Sequence, residues 1–247
     1  MKDTIKIVTR FKTKNLTARE YIALSKAILQ SLKAFHKAFE IIHSWGDKPT
    51  SWTMIDDDFS NFNNTVLNHI FDEEIIYTDA AGNKVSFSPE AMSWARFSNS
   101  YSNIKNPHET KYLISIGAGG ESGWGFVNIE LPPIYFDEFR TTKKLIDLID
   151  IILQKIELEG AYVYTKTLYD HVVDYDKDYD IEIGWLNYFK NKNIQLHIPT
   201  ELFHSSHKNG IVFWLENEIS TPTKETINLA MEIRNILGDL GYLNLEQ

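Results

Sequence analysis

The chain of 247 residues contains no cysteine, and this absence excludes several kinds of chemistry. A protein without cysteine has no disulfide bonds, no thiolate metal ligands and no cysteine nucleophile. Long apolar runs are also missing, since no stretch approaches the roughly 18 consecutive apolar residues that a transmembrane helix needs. The N-terminal segment Met1–Asn15 carries scattered Lys and Arg and has no apolar core, unlike a signal peptide. We therefore expect a soluble, cytoplasmic protein with no membrane partner.

Basic residues are fewer than acidic ones: 25 Lys and Arg against 34 Asp and Glu give a formal net charge of −9. This balance disfavours direct binding to nucleic acid, because such binding depends on neutralising phosphates. It would suit a basic protein partner, although solubility alone would explain it equally well. Aromatic residues make up 13% of the chain, and any rings that the core does not use would suit a protein interface.

The common sequence motifs of catalysis and cofactor binding are absent. The glycine cluster Gly117–Gly125 has Ser122 where a dinucleotide fingerprint needs its third glycine, and no Gly-Lys-Ser/Thr follows, so we interpret it as a link between strands. The chain has no Gly-x-Ser-x-Gly and no His-Glu-x-x-His motif. His204 and His207, with Glu201 nearby, could form a metal pair, but no helix would enforce their spacing. We predict no catalytic residue, no cofactor and no metal site.

The acidic residues are concentrated in short runs. The longest, from Asp174 to Glu182, does not fit a calcium loop, because Tyr179 and Trp185 occupy the positions of the required Gly and Glu. In an extended conformation its carboxylates would share one face with a period of two. That face is either a solvated strand edge or a docking strip for a basic partner. The residues that we predict to contact such a partner are Asp56, Asp57, Asp58, Asp174, Asp176, Asp178, Asp180 and Glu182.

Hydrophobic periodicity predicts an α+β fold. Strands are indicated near residues 4–11, 74–78, 84–88, 111–116, 124–131, 161–167, 181–189 and 210–215, and helices at 17–43, 88–94, 141–157 and 221–240. Several strands form adjacent hairpin pairs, which favours a mainly antiparallel β-sheet covered by long amphipathic helices. Residues 51–71 are polar and irregular in pattern. We expect residues 1–247 to form a single domain.

Several stretches resemble a family of bacterial immunity proteins, the immunity protein 52 family of polymorphic-toxin and type VI secretion systems. The similarity is carried by the N-terminal strand and long helix ending near Trp45, and by the strand pair around Leu113–Gly117 and Val127–Pro132. The most specific stretch is Ile183–Phe189, which contains Gly184 and Trp185 and is similar to a Gly-Trp strand of that family. The closing helix, which ends before Gly241, completes the resemblance.

The resemblance implies a non-catalytic, cytoplasmic protein that binds and inactivates one cognate toxin. Toxins paired with this family are often nucleases of the restriction-endonuclease type, which must present a basic cleft to phosphate. An acidic inhibitor would complement such a cleft. The family-motif residues Trp45, Gly184 and Trp185 are expected to be structural.

Two other functions stay open at the level of the sequence. One is a hydrolase with a carboxylate pair on loops, acting on a carbohydrate that stacks on Trp52, Trp94 or Trp124. The other is a structural or phage-derived assembly protein, which would self-associate into rings without any partner.

Overall fold

A computed structural model describes residues 3–104, 112–177, 179–200 and 202–245. Within these residues it contains thirteen strands and six α-helices. The strands are β1 (Ile5–Lys12), β2 (His43–Ser44), β3 (Thr53–Met54), β4 (Tyr77–Thr78), β5 (Lys84–Val85), β6 (Met92–Ser93), β7 (Phe97–Ser102), β8 (Leu113–Ala118), β9 (Trp124–Leu131), β10 (Gly160–Thr165), β11 (Leu186–Phe189), β12 (Phe203–His207) and β13 (Gly210–Trp214). The helices are α1 (Ala18–Phe35), α2 (Phe62–His69), α3 (Phe136–Phe139), α4 (Thr142–Leu153), α5 (Lys166–Val172) and α6 (Lys224–Asp239). No helix of this part of the chain is long and apolar enough to cross a membrane.

The chain forms two compact units. Unit 1 comprises the described residues of Met1–Arg10, Glu130–Asp150 and Glu157–Gln247, and unit 2 those of Phe11–Ile129 and Ile151–Ile156. The predicted α+β class with a mainly antiparallel sheet is confirmed, because the strand pairs with a defined register in both units are antiparallel. The assignment of residues 1–247 to a single domain stays a prediction.

Unit 1 is built on five strands in the order β12-β13-β11-β10-β1. Tyr188 and Phe213 are buried in its core, and so is Trp185 immediately before β11. Helix α5 contacts β10 and α6. Thr165, the last residue of β10, caps α5 by accepting a hydrogen bond from the Leu168 N–H, so that the strand passes directly into a helix. The predicted strand 161–167 therefore extends two residues too far, and α5 was not predicted.

Unit 2 is built on strands in the order β9-β8-β7-β2-β3 and a small sheet in the order β5-β4-β6. Its α1 begins at a capping box, in which the Glu20 N–H donates to Thr17 Oγ1 and the Thr17 N–H donates to the Glu20 carboxylate. The buried side chains of α1 include Tyr21, Ile28 and Leu32, whose spacing places them on one face.

Other sequence predictions also differ from the structure, for example the strand at 181–189, which begins at Leu186. Helix α1 ends at Phe35 rather than His43, because the His36 ring accepts a hydrogen bond from the Ala38 N–H and begins a short 3-10 helix. Residues 88–94, predicted helical, instead contain β6. The segment 51–71, predicted to be irregular, contains α2, whose polar residues show too little hydrophobic periodicity to predict a helix. The last helix begins at Lys224, after its cap Thr223, rather than at residue 221.

Candidate functional site

The acidic segment between α5 and β11 is a folded loop rather than an extended strand. Its described residues form turns and bends, and the Lys177 N–H donates to the Asp174 carbonyl across one of these turns. The predicted comb of carboxylates with a period of two is therefore wrong. We refer to the described residues of 174–182 as the acidic loop.

A buried arginine from α6 holds the acidic loop in place. Arg234, only 2% exposed, donates from Nε to Glu182 Oε2 at 2.6 Å and from Nη2 to Glu182 Oε1 at 3.0 Å. The same Nη2 lies 3.4 Å from the Asp174 carbonyl oxygen and 3.5 Å from that of Lys177. The Tyr179 ring covers the guanidinium, with its centroid 4.6 Å from Cζ. A single side chain thus contacts four residues of the acidic loop.

The electrostatics of this centre keep the Arg234 guanidinium charged. Burial alone would lower the pKa of Arg234, but the hydrogen bonds and negative charge of Glu182 outweigh it and raise the pKa above its ordinary value. Glu182 is only 5% exposed. Its predicted role as a contact for a basic partner is therefore wrong, because its carboxylate is turned inward and occupied by Arg234.

The outer side of the acidic loop presents three of the predicted carboxylates to solvent. Asp174, Asp176 and Asp180 are exposed, and Tyr175 between the first two is 77% exposed. Asp174 Oδ1 accepts from the Asp176 N–H, and Asp180 Oδ2 accepts from the Leu245 N–H at 2.8 Å. These bonds fix two carboxylates relative to the backbone. Asp178 lies outside the described residues.

The second predicted run, Asp56–Asp58, forms the turn before α2, and all three side chains are exposed. Asp57 Oδ1 accepts from Lys33 Nζ at 2.8 Å. Asp58 Oδ1 accepts from the Ser60 N–H, and hydrogen bonding from Ser60 lowers the pKa of Asp58. These carboxylates therefore order their own turn and also add negative charge to the surface of unit 2.

Unit 2 also contains an acidic cleft of about 610 Å³. Exposed carboxylates of Asp47 and of the run Asp72–Glu74 line it, together with His69 and Arg96. The His69 Nδ1 lies 2.8 Å from Ser44 Oγ, which accepts from the Asn99 Nδ2 at the same distance. Burial lowers the pKa of His69, so its ring is neutral at pH 7. The fold brings Asp47 and His69 to this cleft, and no local sequence pattern predicts that they line it.

Two of the family-motif residues pack inside unit 1. Trp185 is 1% exposed and donates from Nε1 to Thr165 Oγ1 at 3.2 Å. A Cβ atom on Gly184 would lie 2.0 Å from the Val163 carbonyl oxygen, so only glycine fits this close approach to β10.

The tryptophans of unit 2 differ in how accessible they are. Trp45 stacks on the buried Trp52 with ring centroids 4.1 Å apart. Trp52 is therefore not available to stack on a carbohydrate. Trp94 is half exposed, and Lys12 Nζ lies over the Trp124 ring.

His204 and His207 do not form a metal pair. They are three residues apart on β12, so their side chains point to opposite faces of the sheet. His204 bonds through its ring to Gln195 and to the Leu202 carbonyl, whereas His207 Nε2 bonds to Asp150 Oδ1. Among the described residues no three His, Asp or Glu side chains are grouped as metal ligands. Glu201 lies outside them.

Comparison with known proteins identifies the fold. No protein-family model matches the chain, and no curated protein matches it. Among solved structures, the chain is similar to the T6SS protein PA0821 of Pseudomonas aeruginosa, with a TM-score of 0.54 and 11% sequence identity. The match covers 99% of this chain and 75% of that one. At this identity the likeness establishes a shared fold, and it extends over nearly the whole chain.

Proposed function

We propose that this chain is an immunity protein that binds a cognate bacterial toxin and blocks its active site or basic cleft, without catalysing a reaction itself. The observation that carries the proposal is the acidic loop, whose exposed carboxylates are held by the buried Arg234. The fold shared with a T6SS protein agrees with a role in bacterial competition. A nuclease effector is the toxin class that best fits an acidic inhibitor, because a nuclease must expose cations to bind phosphate.

A preorganised acidic surface suits rapid and specific inhibition. Carboxylates facing a basic cleft attract it over a Debye length of about 8 Å at physiological salt and so increase the association rate. Because the loop is already ordered, little conformational entropy is lost on binding. Tyr175, at 77% exposure, is suited to anchor the contact, since tyrosine is enriched at interface centres. A stable complex needs roughly 800 Å² from each partner, so other surfaces must contribute beside the loop.

The hydrolase alternative receives less support from the site. The carboxylates of the acidic cleft are exposed, whereas a catalytic acid at neutral pH needs an environment that raises its pKa. Trp52, one of the three rings considered for sugar stacking, is buried.

Co-expression with the protein encoded beside its gene tests the proposed function. The full chain should restore growth of cells that express this neighbouring toxin and should form a complex with it that survives size-exclusion chromatography. The double variant Glu182→Leu/Arg234→Met, which removes the anchor of the acidic loop, should protect less at equal abundance. The proposal would be contradicted if the chain protected against neither of the proteins encoded on the two sides of its gene. Hydrolase activity that stays with the purified chain would also contradict it.

A further inference from the structure

Strand β12 is an edge strand of the sheet in unit 1, and its five residues are exposed or half-buried. Among the described residues it is last in the strand order and pairs only with β13, from Phe203 opposite Trp214 to His207 opposite Gly210. The turn end of this hairpin is fixed, because Asp150 of α4 binds both His207 Nε2 at 2.5 Å and Lys208 Nζ at 2.9 Å. The edge is therefore held in a defined position.

The hydrogen-bonding groups that β12 directs outward follow from the register. The Leu215 N–H donates to the Trp185 carbonyl on the β11 side. Because hydrogen bonding alternates along an antiparallel strand, Phe213 also faces β11, and Val212 faces β12. Ser205, opposite Val212, thus bonds inward. Its neighbours His204 and Ser206 direct their N–H and C=O groups away from the sheet.

The edge lacks the features that normally prevent strand pairing. Natural edges carry lysine, proline or inward-pointing charges, but Phe203–His207 contains no lysine, proline or carboxylate. Phe203 is 51% exposed and stacks on Trp214 with ring planes 5° apart. Although the chain has a net charge of −9, this edge strand contains no acidic residue. The strand itself therefore offers no electrostatic attraction to a basic toxin.

From this edge we infer a dimer, in which β12 pairs with β12 of a second copy of this chain, antiparallel about Ser205. The outward-facing residues are placed symmetrically around that position, so His204 of each copy meets Ser206 of the other in hydrogen-bonded pairs. Phe203 then lies opposite the partner's His207, an aromatic cross-strand pair. Ser205 of both copies meets at the two-fold axis, where its small side chain permits close approach. A five-residue edge buries less than the roughly 800 Å² per partner of a stable interface, so the dimer is weak and depends on concentration.

Single cysteines test this geometry, because the natural chain has none. In the inferred dimer, Ser205→Cys places two thiols in a directly opposed pair whose Cα atoms are about 4.5 Å apart, within the range of a disulfide. Ser206→Cys is the matched control. Ser206 is more exposed than Ser205, but in the inferred dimer it lies opposite His204, two positions away from Ser206 of the second copy. Under mild oxidation S205C should form covalent dimers at least about ten-fold faster than S206C. Equal rates, or faster cross-linking of S206C, would overturn the inference.

The mass of the natural chain in solution provides a second test. By sedimentation from about 10 μM to about 500 μM, the mass should rise from 28.6 kDa towards twice that value. Ser206→Pro removes an outward N–H and should weaken association at least about ten-fold, whereas Ser206→Ala keeps the N–H and should not. Circular dichroism of both variants establishes that they are folded. A natural chain that stays monomeric at the highest concentration, or an S206P variant that is folded and dimerises normally, would overturn the inference.

Discussion

The ion pair of Arg234 and Glu182 is the centre on which the acidic loop depends. Both side chains are almost fully buried, and the two hydrogen bonds between them are bidentate. A buried pair of this kind contributes little net stability compared with apolar residues, because desolvation of both charges offsets their attraction. Its value here is geometric, since the guanidinium also approaches the carbonyl oxygens of Asp174 and Lys177. The pair therefore specifies a loop conformation.

Removing one charge of this pair should destabilise unit 1 strongly. Glu182→Gln keeps the shape but leaves the Arg234 cation buried without a counter-charge, and we expect a loss of about 3 kcal/mol in the free energy of unfolding. Urea denaturation followed by circular dichroism measures this loss. A change below about 1 kcal/mol would show that water reaches the pair and that the guanidinium is not isolated.

The double variant Glu182→Leu/Arg234→Met separates stability from loop geometry and serves as the control. Two apolar side chains of similar volume should recover most of the stability, because neither charge is then buried. The loop, however, loses its contacts with the guanidinium. We therefore expect a folded protein that binds and neutralises the toxin more weakly, and undiminished protection would remove the acidic loop from the proposed function.

At the scale of the element, glycine is required for two different reasons, a close approach between backbones and a left-handed backbone conformation. Gly184, just before β11, lies so close to β10 that an added Cβ would collide with the Val163 backbone. Gly241 follows α6 in the left-handed conformation, with φ of +77°, and a Cβ added to it would meet no atom within 4 Å. There the Tyr242 N–H donates to the Leu237 carbonyl and closes the helix end.

Alanine substitutions at the two positions should lower the free energy of unfolding by different amounts. Gly184→Ala must displace backbone and should cost at least about 3 kcal/mol, with a melting temperature lowered accordingly. Gly241→Ala meets no atoms and should cost only the strain of the left-handed conformation, about 1 kcal/mol. Thermal unfolding of both variants measures the difference. Equal losses would mean that β10 can move away from the Gly184 position at low cost.

Local signals explain which elements could be predicted from sequence. The start of α1 follows from the Thr17–Glu20 capping box, a contact between residues three apart. The end of α1 depends on the hydrogen bond that the His36 ring accepts from the Ala38 N–H, which hydrophobic periodicity does not predict. No local pattern predicts the folded conformation of the acidic loop, because this conformation depends on Arg234, which is 52 residues from Glu182 in the chain. A buried partner at that separation leaves no local pattern.

At the scale of the whole molecule, the excess of negative charge bears on how the chain meets its partner. The acidic loop of unit 1 and both the Asp56–Asp58 turn and the acidic cleft of unit 2 contribute exposed carboxylates. Long-range attraction depends on the summed charge, whereas contact depends on which carboxylates lie in the interface. Changes of opposite sign at neighbouring positions test whether one acidic surface faces the partner.

Asp176 and Lys177 are adjacent and exposed, and they allow this test in the acidic loop. If the loop faces a basic toxin, Asp176→Lys should slow association by roughly five-fold at low ionic strength, and Lys177→Glu should accelerate it. At about 0.5 M salt the Debye length falls to a few ångströms, so the three association rates should converge. Stopped-flow or surface-plasmon measurements against the neighbouring toxin give these rates, and dissociation should change less because neither side chain is buried. If both variants associate at the natural rate at low salt, the acidic loop faces away from the toxin, and the carboxylates of unit 2 become the next surface to test.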